Sequence, residues 1–275
     1  MIIHGQRTQE TPEEDQHSSL VAALQDGRHL RHPTQPGSPQ TPGVSAPPSH
    51  PKVSDSTLRY RLKLALNGRE ANMIVQDKEA GIKVDNKIRR DVKFPVGVMD
   101  VLTIAKTNEN YRLLYDVKGR ITLVKIKESE ARYKLLKVKS KAVGPNKVPY
   151  IVSHDSRTIR FPHPEIKEGD TVKFDLEKNS ISEWYHNEPG HLAFITGGNN
   201  IGRKGQIMHV ERHLGGFDIV HLRDENGKTF ATRKTNVFII GNKKSEITLP
   251  HNEGNYYNIL EEKAAREDRK RKSSK

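Results

Sequence analysis

The sequence predicts an α+β fold that is mostly β and is divided into several small modules. Hydrophobic residues make up 33% of the 275 residues and aromatic residues 6%, so each core must be small. Between about residues 82 and 240, short runs of alternating apolar and polar side chains are separated by turn residues, which is typical of short antiparallel strands. Apolar residues at helical spacing occur in a few short segments. These patterns favour several modules over one large enzyme core.

The charge of the chain is strongly positive and unevenly distributed. The net charge is +13, from 47 Lys and Arg against 34 Asp and Glu. The first 56 residues hold six acidic and four basic side chains, whereas positions 57–275 hold 43 basic and 28 acidic ones. A basic excess of this kind suits a polyanionic partner, and nucleic acid is the natural candidate.

Other compositional features exclude several classes of protein. The chain has no cysteine, so disulfides and thiolate zinc sites are excluded. No apolar run approaches the roughly 20 residues that span a bilayer, and Met1 to Ile3 is too short for the core of a signal peptide. We therefore expect a soluble protein of the cytosol or nucleus.

Residues 1–56 are predicted to be a disordered, proline-rich segment. They contain eight of the 15 prolines and no Phe, Trp or Tyr, which leaves little apolar surface to offset the loss of chain entropy.

Residues 57–105 are predicted to form a helix-helix-hairpin-strand unit. Apolar residues at helical spacing from Leu58 are followed by alternating apolar and polar residues around Asp85-Asn86, a pair that tolerates the positive φ of a tight turn. Its predicted elements are helices over 58–66 and 69–77, a hairpin over 82–89 and a strand over 98–104.

The rest of the chain is predicted to be β-structure with a charged tail. Residues 106–188 are expected to form a central small β-barrel-like domain, with a hairpin turning at Lys118-Gly119, a helical turn over 128–136 and a strand over 171–176. Residues 189–243 are expected to form a second small barrel. Its predicted strands cover residues 192–196, 205–210, 218–222 and 229–240, with Gly215-Gly216 and residues 225–227 as turns. Residues 244–275 form a C-terminal extension with a basic tail.

Two short helices followed by a basic hairpin, from Leu58 to Asp91, resemble the S4-type RNA-binding domain. The resemblance implies phosphate contacts by the basic side chains of the helices and hairpin, which position RNA and release its counterions. These residues are Arg59, Arg61, Lys63, Arg69, Lys83, Lys87, Arg89 and Arg90. Further basic candidates at turns or strand ends are Lys118, Arg120, Arg233 and Lys234.

Residues 192–208, LAFITGGNNIGRKGQIM, resemble a KOW motif, which implies an SH3-like barrel. Glycines at 197, 198, 202 and 205 allow sharp turns and close approach to another backbone. Arg203 and Lys204 are expected to project from the loop at phosphate reach.

The two landmarks occur in order with FPVGVMDV at 94–101, YRLLYDVKGR at 111–120, HDSRTIRFP at 154–162 and FATRKTNVFIIG at 230–241. Together they resemble the eukaryotic and archaeal S4e family of small-subunit ribosomal proteins over residues 57–262. The resemblance implies a structural constituent that binds ribosomal RNA and neighbouring ribosomal proteins, without enzymatic activity, cofactor, metal or small-molecule substrate. It implies the cytoplasmic ribosome as the location, with nucleolar assembly in a eukaryote. Residues 1–56 depart from the lysine-rich arm typical of the family, so no arm contacts are carried over.

Several alternatives remain open. A KOW-containing translation or transcription factor would bind RNA transiently, whereas an RNA-modifying enzyme with an S4-type domain would need a large catalytic domain that no stretch offers. Residues 197–204 do not match a phosphate-binding loop, because Arg203 stands where that motif requires Lys and Lys204 where it requires Ser or Thr. His209 and His213 have the spacing of a helical metal-binding pair, but they lie on a predicted strand and turn, where their side chains do not converge. Residues 154–156 contain the residue types of a catalytic triad, but adjacent side chains point apart, which favours a surface loop. Period-two placement favours core positions over base stacking for Tyr111, Tyr115, Phe217 and Phe238.

Overall fold

The computed structural model describes residues 53–77 and 81–273, all within one compact unit. Residues 1–52 of the segment predicted to be disordered lie outside the described residues. The last four residues of that segment begin a helix, so the prediction is wrong for them. The described ranges contain three five-stranded antiparallel sheets and a few short helices, which confirms the α+β, mostly β class.

Two short helices open the described chain. Helix α1 (Val53–Arg61) has the wide turns of a π-helix, and α2 (Gly68–Gln76) is α-helical. The predicted continuation of the first helix to Leu66 is wrong, because the chain leaves α1 after Arg61 and the Leu66 side chain is 87% exposed. Asn67 caps α2, since its side-chain oxygen accepts the N–H of Glu70 at 2.9 Å while the Glu70 carboxylate accepts the N–H of Leu66 at 2.8 Å.

The first sheet has the order β2-β1-β3-β4-β5. Its strands are β1 (Ile82–Val84), β2 (Lys87–Ile88), β3 (Val101–Ile104), β4 (Glu109–Tyr115) and β5 (Ile121–Ile126). Asp85 and Asn86 have φ of 50° and 64°, which confirms the predicted hairpin turn. Strand β3 pairs with β4, so the sheet crosses the domain boundary predicted after residue 105 and continues to Ile126.

The second sheet has the order β10-β9-β6-β7-β8. It follows helix α3 (Glu128–Ala131), which replaces the longer helical turn predicted over 128–136. The strands are β6 (Tyr133–Val143), β7 (Pro149–Ser153), β8 (Thr158–Arg160), β9 (Thr171–Asp175) and β10 (Ser180–Tyr185). Their core includes Leu136, Ile151 and Phe174, and Val101 and Ile126 of the first sheet pack into it.

The third sheet has the order β14-β13-β12-β11-β15. Its strands are β11 (Leu192–Ile195), β12 (Lys204–Glu211), β13 (Ile219–Arg223), β14 (Thr229–Arg233) and β15 (Val237–Gly241). The single strand predicted over 229–240 is interrupted by a 3-10 turn at Lys234–Asn236. A second 3-10 turn, His251–Gly254, leads towards helix α4 (Ile259–Ser273), which carries the charged tail.

One hydrophobic core joins the three sheets. Phe194 and Phe238 of the third sheet belong to the same buried cluster as Leu114 of the first sheet and Leu135 and Tyr185 of the second. Burial of these side chains stabilises the junctions by about 25 cal/mol per Å² of apolar surface removed from water. The described modules are therefore packed against one another through this shared core.

A buried ionic cluster also joins the first two sheets. We define it as Asp85, Asp100, Lys134, Asp155 and Arg157. The Lys134 ammonium lies 3.0 Å from a carboxylate oxygen of Asp85, 3.0 Å from one of Asp155, and donates to Asp100. Arg157 contacts Asp85 at 2.7 Å and Asp155 at 2.8 Å. Three carboxylates thus surround two cations, with the Lys134 side chain fully buried.

The pKa values of the cluster reflect this surplus of carboxylates. Burial alone would lower the pKa of Lys134, but Asp100, Asp85 and Asp155 more than offset it and raise that pKa, so Lys134 stays charged. Burial works against ionised carboxylates, yet Lys134 and Arg157 keep the pKa of Asp85 below its ordinary value. Burial raises the pKa of Asp100 despite Lys134, so Asp100 is the carboxyl of the cluster that is most easily protonated.

His154 is held as a neutral imidazole beside the cluster. The N–H of Lys137 donates to His154 Nδ1 at 3.2 Å, and His154 Nε2 faces the carbonyl of Val98 at 3.3 Å. The Phe238 ring packs against the imidazole edge-on at 5.3 Å between centroids. Burial, reinforced by the charge of Lys134, lowers the pKa of His154 from 6.5 to about 4.

Lowering the pH from 7 to 5 is therefore expected to destabilise the protein through His154. The unfolded chain binds a proton at His154 below about pH 6.5, whereas the folded chain binds one only near pH 4, so stability falls as the pH drops through this window. The loss is about 2 kcal/mol at pH 5. Urea unfolding of the unsubstituted chain and of His154→Gln at both pH values measures it. His154→Gln should lose less stability on acidification, and equal losses would contradict the assignment.

Candidate nucleic-acid interface

Five exposed basic side chains lie on the helices and hairpin of the first module. Arg61 ends α1, Lys63 follows it with a φ of 56°, Arg69 lies in the first turn of α2, Lys87 begins β2 and Arg90 follows that strand. We call these five residues the helix-hairpin set. Among the described residues, none of the five forms an ion pair, so their charges are available to an anionic partner.

The hydrophobic core beneath this set fixes the elements that carry it. Leu58 of α1, Ala71 and Val75 of α2, and Ile82 and Val84 of β1 are buried together. Arg61 and Arg69 therefore extend from helices that are packed on this core, Lys87 lies on the strand paired with β1, and Lys63 and Arg90 directly follow α1 and β2. This arrangement presents charge on a rigid support, which reduces the entropy cost of binding.

The other basic residues predicted in this module are less exposed. Arg59 lies 5.1 Å from the centroid of the Tyr60 ring, and Arg89 lies 4.3 Å from that of Phe94. Lys83 is half-buried on β1. Stacking on aromatic rings orients a guanidinium while leaving its edge able to donate hydrogen bonds.

The tight turn between β4 and β5 carries Lys118 and Arg120. Gly119 has a φ of 74°, and the N–H of Asp116 donates to the carbonyl of Arg120 at 2.7 Å. The Lys118 ammonium lies 3.3 Å from the Glu262 carboxylate of α4, whereas Arg120 is exposed. Lys118 therefore helps to hold the C-terminal helix, and Arg120 is the freer cation of the turn.

The glycine-rich loop between β11 and β12 packs against that turn. A Cβ atom on Gly202 would lie 2.0 Å from the carbonyl oxygen of Asp116, and Gly202 has a φ of 80°. The Ile201 side chain lies against Gly119. The close approach of backbones that the glycines predict is confirmed at Gly202.

Arg203 and Lys204 do not project from this loop, so that prediction is wrong. The Arg203 side chain is 11% exposed, pairs with the buried carboxylate of Asp224 and lies 3.8 Å from the centroid of the Phe230 ring. The whole Lys204 residue is 4% exposed, and its ammonium lies 2.7 Å from Glu225 and 3.3 Å from Glu253. Asp224 and Glu225 belong to the turn between β13 and β14, whereas Glu253 belongs to the C-terminal extension. The Arg203 guanidinium also lies 5.2 Å from the centroid of the Tyr256 ring of that extension.

Arg233 and Lys234 lie at the end of β14 and in the 3-10 turn that follows it. Arg233 is exposed, with its guanidinium 4.4 Å from the centroid of the Phe217 ring. The Lys234 ammonium lies 3.4 Å from the Asp218 carboxylate. The carbonyl of Lys234 also accepts from the Lys137 ammonium of β6 at 3.0 Å, so this turn is anchored to the second sheet.

The predicted core positions are confirmed for Tyr115 and Phe238, and the prediction is wrong for Phe217. Tyr115 and Phe238 are buried and Tyr111 is half-buried, whereas Phe217 is 60% exposed. Phe217 lies in the connection between β12 and β13 and not within a strand. The turn signal of Gly215-Gly216 directly before it could have identified a loop position.

The surface loop predicted at residues 154–156 is only partly correct. Ser156 is exposed, but the imidazole of His154 faces Val98 and the carboxylate of Asp155 faces Lys134. These side chains diverge, so they do not assemble a catalytic triad. Within the described ranges, no group of three or more His, Asp or Glu side chains is arranged to hold a metal ion. The helices of these ranges include none with the length and apolar character of a membrane span.

Comparisons with known proteins identify the family. A model of Ribosomal family S4e matches residues 107–181, and a model of the 40S ribosomal protein S4 C-terminus matches residues 224–270. The small ribosomal subunit protein eS4 of Tetrahymena thermophila is 54% identical over 207 residues, which are 75% of this chain and 80% of the relative. The chain belongs to the eS4 family.

Further relatives support the same membership. The eS4 protein of Bombyx mori is 52% identical over 210 residues, covering 76% of this chain and 79% of the relative. The crystal structure of the 30S ribosomal protein S4e from Thermoplasma acidophilum superposes with a TM-score of 0.62 at 36% identity, covering 72% of this chain and 99% of the other. The S4e resemblance of the sequence motifs is thus confirmed, and eS4 is a family of ribosomal proteins rather than enzymes.

Proposed function

We propose that this eS4 family member is a structural constituent of the small ribosomal subunit and holds ribosomal RNA through exposed basic side chains. The observation that carries the proposal is the helix-hairpin set, whose five cations face solvent without an ion pair among the described residues. Such cations neutralise phosphates and release counterions, so they supply affinity and position without reading sequence.

The proposed surface differs from the one that the sequence predicts. It keeps the helix-hairpin set, with Arg59, Lys83 and Arg89 as flanking contacts, and extends to Arg120 and Arg233. It leaves out Arg203 and Lys204, because their charges are compensated by Asp224, Glu225 and Glu253. Lys118 and Lys234 keep a secondary role, since each already has a carboxylate partner.

Neutralising the helix-hairpin set is expected to weaken binding to small-subunit ribosomal RNA strongly. The five residues are replaced together by Gln, and affinity is measured by filter binding between about 50 and 200 mM KCl. For every phosphate that is no longer neutralised, the slope of log affinity against log salt should fall by about one. The affinity of the unsubstituted chain should itself fall by orders of magnitude over this range.

A charge-matched control separates specific phosphate binding from net charge. Lys127, Lys139, Lys147, Lys167 and Lys178 are exposed on the second module and its approaches. Their joint replacement by Gln removes the same charge but should change the salt slope much less. Equal effects of the two variants would reduce the proposal to unspecific attraction, and salt-insensitive binding by the unsubstituted chain would contradict it.

The proposed partners are ribosomal RNA and neighbouring ribosomal proteins, with no substrate to turn over. We place the protein in the cytoplasmic ribosome, with assembly beginning in the nucleolus. A structural constituent should remain stoichiometric in salt-washed small subunits, whereas a transient translation or transcription factor should wash off. Loss of the protein from salt-washed subunits would therefore favour the transient factor.

A further inference from the structure

The connection between β12 and β13 presents apolar side chains to solvent on a well-defined turn. The N–H of Gly216 donates to the carbonyl of His213 at 3.1 Å, and Gly215 has a φ of 80°. Leu214 at the tip is fully exposed, and Phe217 directly after the turn is 60% exposed. Two large apolar side chains, three positions apart, are thus exposed on one turn.

The Phe217 ring is oriented by an arginine. The Arg233 guanidinium lies 4.4 Å from the ring centroid. Arg233 is the cross-strand partner of Ile219, which follows Phe217 by two residues, so the pairing of β13 with β14 brings Arg233 close to Phe217. The guanidinium lies over the ring, and the Phe217 residue is nevertheless 60% exposed.

The charges around Phe217 favour an anionic partner. Glu211 is engaged by His221 at 3.3 Å and faces His213 at 3.6 Å, and Asp218 is paired with Lys234 at 3.4 Å. Both nearby carboxylates therefore have cationic or imidazole partners. Arg212 and Arg233 remain exposed beside the turn and form no ion pair in the part of the chain that the structure describes.

We propose that Phe217 is a stacking platform for an unpaired base of ribosomal RNA, with Arg233 supporting the ring and Arg212 contacting an adjacent phosphate. The proposal rests on the proposed function and adds a site for bases to a surface otherwise built for phosphates. Every nucleobase has a flat π face, so an aromatic ring can bind an unpaired base without sequence preference. An arginine beside the ring adds attraction to both the base and its phosphate.

Replacing Phe217 by Leu in the full chain is expected to weaken binding to small-subunit ribosomal RNA by about 5-fold to 150-fold, which is the range for losing one stacked base. Stacking releases no counterions, so the salt slope should stay unchanged. Phe217→Tyr keeps the flat ring and should retain most of the affinity. Both variants are compared by filter binding with the same RNA as the unsubstituted chain.

Phe161 provides a matched control. It is 71% exposed at the edge of the second module, and among the described residues no Arg or Lys lies over its ring. Phe161→Leu should leave RNA affinity unchanged. A loss of affinity equal to that of Phe217→Leu would show a general effect of removing exposed rings and would overturn the proposal.

A fluorescent variant reports stacking directly. Phe217→Trp should show quenching of its emission when RNA is added, after subtraction of the signal of Trp184 in the unsubstituted chain. If Phe217→Leu binds RNA normally but fails to enter small subunits, the ring contacts a protein and the proposal is overturned. If the unsubstituted chain binds no ribosomal RNA, both the proposed function and the stacking site are contradicted. If the unsubstituted chain and Phe217→Leu bind ribosomal RNA equally well, only the stacking site is contradicted.

Discussion

Lys134→Met is expected to lower the free energy of unfolding by about 3 to 5 kcal/mol, as found when one partner of a buried ion pair is removed. Lys134 is fully buried and contacts three carboxylates. Methionine fills a similar volume without charge, so the decrease in stability reports the unbalanced carboxylates and not a cavity. Urea unfolding at pH 7 measures the difference.

Two further variants isolate the electrostatic cause. Lys139→Met changes an exposed residue of the same strand and should alter stability by less than about 0.5 kcal/mol. Adding Asp100→Asn to Lys134→Met removes the carboxyl whose pKa is raised by burial and should restore part of the stability. If the double variant is no more stable than Lys134→Met, repulsion among the carboxylates is not the main cost.

Gly202→Ala is expected to destabilise the protein by at least about 2 kcal/mol, because a backbone penalty and a steric penalty coincide. A φ of 80° is unfavourable for alanine by about 1 to 2 kcal/mol. The added Cβ would also lie 2.0 Å from the backbone oxygen of Asp116, which cannot move like the end of a flexible side chain. Thermal or urea unfolding of the variant measures the total.

Gly215 separates the two penalties. It has the same φ of 80°, but nothing lies within 4 Å of the position of its Cβ. Gly215→Ala should therefore cost only the backbone part, about 1 to 2 kcal/mol. Comparable decreases in stability in the two variants would mean that packing of the loop against the β4-β5 turn contributes little.

Local turn chemistry was the part of the fold that the sequence predicted well. Asp85-Asn86 and Lys118-Gly119 adopt the tight turns that their residue types favour. Strands β13 and β14 follow the alternating burial that their sequence predicts, and the 3-10 turn at Lys234–Asn236 divides a predicted strand of the third sheet. These features depend on neighbours in the chain, so a single sequence contains the necessary information.

The buried charges could not be predicted in the same way. Lys134 is 49 residues from Asp85, and Lys204 is 49 residues from Glu253. A lysine in a sequence is exposed by default, and only tertiary contacts decide which lysines are exceptions. The sequence alone therefore favours Arg203 and Lys204 as RNA contacts although both form ion pairs within the fold, and it contains no local signal for the ionic cluster.

The first domain boundary was misplaced for a related reason. Residues 105–108 separate β3 from β4 and look like a linker, but they form the short connection of a hairpin. Local composition does not distinguish a hairpin connection from a break between domains. The pairing of β3 with β4 decides it.

The core that the three sheets share is expected to strengthen the attachment of the protein to ribosomal RNA. Because Leu114, Leu135 and Phe194 are buried together, the helix-hairpin set and Phe217 belong to one compact unit. Once either end has bound, the other is held near its target at an effective concentration that the fold itself determines. Avidity of this kind lets individually modest contacts produce slow dissociation.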